Sequence, residues 1–314
     1  MINVHNKETQ LEVGKLKNQV FGIEIELTGI TRERAAKVIA QCFESRATYK
    51  AGIYKQYEIK DSENRIWKVE RDSSIRAQRK SSGRLLYAGD EYRVEIVSPK
   101  CKYKDIQRIQ EIVRLLRKAG AIVNRSCGIH IHIDAANHNE KTLRNLVNIF
   151  YSKQDLIYRA LGVEGKRESD YCRKLSERFV EEINNRKPKT LNDFSDIWYK
   201  PYCGSRSNHY HSSRYHGLNL HATFTKGTIE FRIFNSTTHA GKIKAYIQFC
   251  LAISHQAMVQ KSASKRKTIT DNEKYTFRTW LLRLGLIGDE FKTCRTHLLS
   301  KLKGNIAFRH GRVA

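Results

Sequence analysis

Two hydrophobic periods take turns along the chain. Residues 20–27, VFGIEIEL, alternate apolar and polar positions as a strand does, and shorter pieces at about 57–60, 66–70 and 92–97 repeat the pattern. CGIHIHIDA at 127–135 is another such strand. Residues 31–45 switch to a helical period, with Ala35, Ala36, Ile39, Ala40 and Phe43 on one side and Thr31 placed as an N-cap. Residues 105–119 predict a clearer amphipathic helix. Its stripe is Ile106, Ile109, Val113 and Leu116, and Gly120 sits where a C-terminal cap belongs. Helical patterns also fill 141–161, roughly 170–186, and about six turns from about 239. Residues 187–213 read as a long polar loop. LNLHATF at 218–224 and TIEFRIF at 228–234 read as a hairpin around Lys226 and Gly227. The basic tail is helical in pattern, with Trp280, Leu281, Leu282, Leu284 and Leu286 as buried candidates. Strands with short turns and helices grouped between them predict an α+β fold with a largely antiparallel sheet.

The strands carry their chemistry on one side. Side chains two apart on a strand share a face. Glu24 and Glu26 therefore lie opposite Ile23, Ile25 and Leu27. His130 and His132 lie opposite Ile129, Ile131 and Ile133. Glu230 and Arg232 lie opposite Ile229, Phe231 and Ile233, and Asn219 and His221 oppose Leu218, Leu220 and Ala222. Glu95 stands between Val94 and Ile96. Carboxylates bind hard divalent cations, and an arginine fork grips phosphate. Taken singly, a Glu-x-Glu is more often a solvated face, and a Glu-x-Arg is commonly a cross-strand ion pair. Four such strands in one chain are harder to attribute to accident.

Composition narrows the field. The chain has 314 residues, 40% of them hydrophobic, and only 3 prolines, which argues against disorder over most of its length. Lys and Arg number 58 against 32 Asp and Glu, a net charge of +26 that attracts polyanions such as nucleic acid or acidic peptides. The 7 cysteines are odd in number and scattered, the pattern of reduced thiols in a cytoplasmic protein. No signal-peptide core opens the chain, no apolar run has the length of a membrane span, and no Gly-rich phosphate loop is present. The spacing of Cys203, His209, His211 and His216 fits no common zinc pattern, so a substrate lid is the better expectation there. Cys127 reads as a small buried residue, Trp67, Trp198 and Trp280 as packing, and KSASKRK at 261–267 as a solvated linker.

With these residues in view, the sequence resembles the amidoligase family, relatives of glutamine synthetase and of glutamate–cysteine ligase. The resemblance rests on FGIEIEL (21–27), WKVERDSSI (67–75), VEIVSPK (94–100), CGIHIHID (127–134) and RYHGLNLHATFTKGTIEFRIFNST (214–237), in that order. It implies a curved, largely antiparallel sheet of the glutamine-synthetase catalytic type, with helices on the convex side and ATP and two or three Mg²⁺ ions on the concave face, Mn²⁺ being an alternative ion. Glu24, Glu26, Glu95, His130 and Glu230 would hold metal. Arg232, Asn219 and His132 would contact the nucleotide, His132 being also the alternative to His130. Arg232 and Arg214 would neutralise the moving phosphoryl group, and Asp72 would face the amine or carboxylate. One departure is Ser73, where the family usually has Gly. The implied domains are a catalytic core over 1–240, with a basic insertion or lid at about 162–213, and a helical, basic extension over 241–314. The implied activity is an ATP- and Mg²⁺-dependent carboxylate–amine ligase acting through an acyl phosphate. Its partners are a carboxylate and an amine, from an amino acid, peptide or protein side chain. The rival readings are a metal-dependent phosphoesterase or nuclease, a non-catalytic nucleic-acid-binding protein, and a guanidino phosphotransferase.

Overall fold

A computed structural model describes residues 14–309. The chain divides into two compact units. Residues 20–131 and 234–244 form the first, and residues 132–233 and 245–309 together with 14–19 form the second.

The first unit begins with β1 (Phe21–Leu27) and α1 (Arg32–Cys42). The side chain of Thr31 accepts from the Arg34 amide, so the N-cap expected there is formed. The strands β2 (Ala47–Lys50), β3 (Gln56–Lys60), β4 (Ile66–Glu70), β5 (Gln78–Ser81), β6 (Arg84–Tyr87) and β7 (Val94–Val97) follow, and then α2 (Ile106–Lys118). Register explains the alternation. Ile25 of β1 pairs with Ile96 of β7, Ile96 with Val69 of β4, and Val69 with Tyr57 of β3. One residue along, Glu26 pairs with Glu95 and Glu95 with Glu70. The pleat thus sets an apolar row beside an acidic one, on opposite faces. Helix α1 packs on β3, β4, β7 and α2, and its Ala35, Ala36 and Ile39 are fully enclosed.

Strand β8 (Gly128–Asp134) contains the boundary between the units. The second unit continues with α3 (Glu140–Leu161), α4 (Gly165–Tyr171), α5 (Glu177–Arg186) and α6 (Leu191–Tyr199). After these come β9 (Leu218–Asn219), α7 (His221–Lys226), β10 (Thr228–Asn235, again shared), α8 (Ala240–Val259, also shared), α9 (Glu273–Arg283) and α10 (Lys292–Leu299). The main sheet runs β2-β3-β4-β7-β1-β8-β10-β9, is open and largely antiparallel, and β5 and β6 pair separately. The fold is α+β, as the pattern predicted. No described helix is long and apolar enough to cross a membrane.

Three local readings need correction. The hairpin over 218–234 is a strand, a helix and a strand, because the His221 amide is caught by Asn219 Oδ1 at 2.9 Å and the backbone then winds. Gly227 is the left-handed cap of that helix, at φ 68°, not a hairpin turn. The helical stretch near 170–186 breaks into α4 and α5 around Cys172, which adopts a non-helical backbone. The loop over 187–213 contains α6, started by a capping box of Thr190 and Asp193. The segment 261–267 is solvated, as expected, and is tied at two points. Asn148 holds the Ala263 carbonyl at 3.0 Å, and Lys267 meets Asp155 at 3.0 Å.

Candidate active site

In the first unit, three antiparallel strands deliver a line of carboxylates. Glu70, Glu95 and Glu26 stand opposite one another across β4, β7 and β1, and Glu24 lies two residues before Glu26 on the same face. Like charges set directly across a sheet repel. Burial first, and then the charges of Glu24, Glu26, Asp72 and Glu70, push the carboxyl of Glu95 well above the usual range.

The neighbours are fixed by directed bonds. His130 Nδ1 is 2.8 Å from Glu24 Oε2, and its Nε2 is 3.6 Å from Glu26 Oε1. The Gly128 amide donates to Glu26 Oε2 at 2.6 Å, and the Ser236 hydroxyl donates to the Glu26 carbonyl at 2.5 Å. Ligand atoms of Glu24, Glu95 and His130 all lie within 4.8 Å of one another, and so do those of Glu26, Asp72 and Glu95. This donor set of hard oxygens plus one imidazole suits a divalent cation such as Mg²⁺ or Mn²⁺. Asp72 closes its own turn by accepting from the Ser74 amide at 2.7 Å. Ser73 is absent from the described residues with positive φ, so its backbone does not require glycine.

In the second unit, Glu230 and Arg232 share a face of β10. Arg232 Nη1 donates to Glu230 Oε1 at 2.5 Å, and Asn219 Nδ2 donates to Glu230 Oε2 at 2.7 Å. All three side chains are buried. The guanidinium is therefore held in one place before any substrate arrives. His132 Nδ1 lies 3.0 Å from the Thr228 hydroxyl, and its Nε2 lies 4.0 Å from Glu230 Oε1. His221, expected on a strand beside Asn219, opens α7 instead. Its ring stacks on His211 at 5.5 Å, and its Nδ1 meets the Tyr199 hydroxyl at 2.6 Å. Burial pushes Tyr199 up to about 12, so the phenol keeps its proton and donates. Arg214 ends a 3₁₀ turn, donates to the His209 carbonyl at 3.1 Å and lies over the rings of Tyr210 and Tyr215.

Among the described residues, Cys203, His209, His211 and His216 form no metal-holding group. Cys127 and the three tryptophans are buried, as packing residues are. Sequence reasoning missed Glu70. Its signal was present in IWKVE, where Trp67 and Val69 turn inward and Lys68 and Glu70 turn to the acidic face. It also missed Tyr199 and Tyr202, whose partners His221 and His216 lie 22 and 14 residues away and leave no local pattern.

The chain matches the family model described as "Putative amidoligase enzyme" over residues 17–254. No curated protein and no solved structure matches it.

Proposed function

The chain belongs to the amidoligase family, whose members are ligase-type enzymes, and we propose that it joins a carboxylate to an amine with ATP and Mg²⁺ through an acyl phosphate. The observation that carries this reading is the line Glu26–Glu95–Glu70, flanked by Glu24, Asp72 and His130. Like charge at this density is costly without a counter-charge, and a bound cation removes the repulsion.

In this reading Glu24, Glu26, Glu95 and His130 hold metal. Glu230, a carboxylate of the kind that binds hard cations, is a further ligand. Bound Mg²⁺ would screen the phosphate oxygens of ATP and so favour transfer of the γ-phosphoryl group. Asn219 and His132 contact the nucleotide. Arg232, kept straight by Glu230, meets the charge that builds as the substrate carboxylate attacks the γ-phosphorus and ADP leaves. Arg214 serves the resulting acyl phosphate. The amine then attacks the acyl carbon, the C–O bond to phosphate breaks, and Asp72 accepts the proton that the amine gives up.

Hydroxylamine traps acyl phosphates as hydroxamates and so tests the reading without knowledge of the amine. The protein is incubated with ATP, Mg²⁺, hydroxylamine and a panel of amino acids and acidic dipeptides. The expected result is carboxylate-dependent release of ADP matched by hydroxamate. Glu26→Gln and Glu95→Gln should each lower it at least ~100-fold, about 2.7 kcal/mol of barrier. Cleavage of phosphodiesters without ATP, or ADP release indifferent to every carboxylate, would refute the assignment.

A further inference from the structure

The second unit contains a cavity of about 740 Å³ that none of the residues named above as candidate ligands or catalysts lines. Four stretches of chain supply most of its walls, and Arg309 adds to them. Helix α3 supplies Lys153, the end of α8 supplies Gln256 and the residue just beyond it Gln260, and α9 supplies Thr279 and Arg283. The fourth wall is the segment between α8 and α9, which is tied down rather than loose. The Ala263 amide donates to Asn145 Oδ1 at 3.1 Å, the Thr268 amide donates to the Ser152 carbonyl at 3.0 Å, and Thr270 bonds Thr276 at 2.7 Å. The cavity is therefore built into the fold.

Its lining is short of negative charge. Lys153, Arg283 and Arg309 face it against the single carboxylate of Asp271. Among the described residues, the Arg283 side chain makes no ion pair or hydrogen bond, and Lys153 bonds only the Thr268 hydroxyl. Burial first, and then the facing Arg283, push the Lys153 ammonium below the ordinary lysine range. An anion placed between the two cations reverses that effect. The side-chain Oε1 atoms of Gln256 and Gln260 are buried and lack a donor among the described residues. Each would gain from turning toward an N–H or O–H brought by a ligand. Ile269, at 93% exposure, stands on the wall as an apolar surface that an occupant would cover.

We propose that this cavity is a binding site for a small organic anion, up to nucleotide size, with its phosphate or carboxylate between Lys153 and Arg283 and its N–H or O–H donors toward Gln256 and Gln260. The site is independent of the ligase centre and does not rest on that assignment.

Calorimetric titration of the full chain tests it with three probes: AMP as the phosphate source, glutamate as the carboxylate source, and adenosine as the uncharged control. AMP or glutamate should bind and adenosine should not, and whichever anion binds identifies the source. Lys153→Gln and Arg283→Gln should each weaken that binding about tenfold or more, while Lys153→Arg preserves it. Thermal unfolding of each variant checks that the fold is intact, and Glu26→Gln should bind the anion as the parent does. The proposal is overturned if neither anion binds, if binding survives both charge removals in folded protein, or if it disappears with Glu26→Gln.

Discussion

At the scale of single residues, Glu95 shows a conflict between stability and use. Its strand neighbours on both sides, Glu26 and Glu70, carry the same charge, and its carboxyl is pushed upward by burial and by those charges. An acid whose folded pKa lies above its unfolded value weakens the fold wherever the unfolded state is ionised. In chelator at pH 7, Glu95→Gln should therefore stabilise the protein by about 1 kcal/mol, the scale of two opposed like-charge pairs, and raise the melting temperature by a few degrees. Mg²⁺ should raise the melting temperature of the parent and act less on the variant. Equal response of both proteins to Mg²⁺ would deny Glu95 a place among the ligands. Asp72 admits a sharper test, because its proposed task is confined to the second half-reaction. Asp72→Asn should still form hydroxamate, since hydroxylamine attacks without a base, but should lose amide formation with alkylamines about 100-fold. Equal losses with both nucleophiles would give Asp72 a different role. Gly217 is fixed by space. A Cβ there would lie 2.3 Å from the Tyr158 hydroxyl, which donates to the Cys172 carbonyl, and Gly217 itself accepts from the Arg232 amide at 2.9 Å. Gly217→Ala should cost about 1–3 kcal/mol in urea unfolding.

At the scale of elements, what could be read from the chain was what alternates or repeats. Strands β1, β4, β7 and β8 were legible because one face is apolar and the other carries Glu or His. Helices α1 and α2 were legible because their stripes and caps agree. Strands β2, β5 and β6 were not, since ATYK, QRKS and RLLY are exposed or nearly so and carry no alternation. HATFTK failed for the opposite reason. Its apolar positions alternate well, but Asn219 captures the His221 amide, and the Thr225 hydroxyl bonds back to the His221 carbonyl at 2.8 Å. Apart from Glu70, the acidic group was legible residue by residue, whereas its pairing needed the register. Asp90 belongs to this scale too, as a tie between elements. It meets Arg71 at 2.6 Å, Arg32 of α1 at 3.3 Å and Lys55 at 3.3 Å. Burial raises its pKa, but the bonds from Arg71 and Lys55 outweigh this and bring it down to about 2. A depressed acid stabilises above its unfolded pKa and loses that contribution as pH falls through the folded value. Asp90→Asn should therefore be less stable than the parent at pH 6, with the gap closing between about pH 4 and pH 2. A gap that persists at pH 2 would mean the carboxylate charge is not what binds these elements.

At the scale of the molecule, the chain carries +26 and still buries several histidines that must stay neutral. His138, His216 and His221 are each pushed down to about 4. Burial is the leading cause in all three. Arg173 adds to it at His216, and His211 and Arg214 add to it at His221. Their hydrogen bonds agree with neutral rings. Ser254 donates to Gln19 Oε1 at 2.6 Å and so accepts from His138 Nε2 at 2.9 Å. Burial raises Tyr202, which keeps its proton and donates to His216 Nε2 at 2.6 Å, as Tyr199 does to His221. A second ring proton on His216 or His221 would remove the acceptor from a buried phenol. With folded values near 4 and unfolded values near 6.5, the unfolded chain binds more protons throughout that window. Unfolding free energy must then rise with pH across it and fall as acid is added, by up to about 3 kcal/mol per histidine at pH 4. The excess of like charge acts in the same direction, because each proton taken up adds to a surface already positive. Urea unfolding at pH 7, 5.5 and 4.5 should show a steep decline, and His138→Gln, which removes one titrating ring while keeping a donor for Ser254, should make the decline shallower by roughly one histidine's share. A flat profile over this range would mean that these rings are solvated in the native protein, and that the second unit is not closed around them.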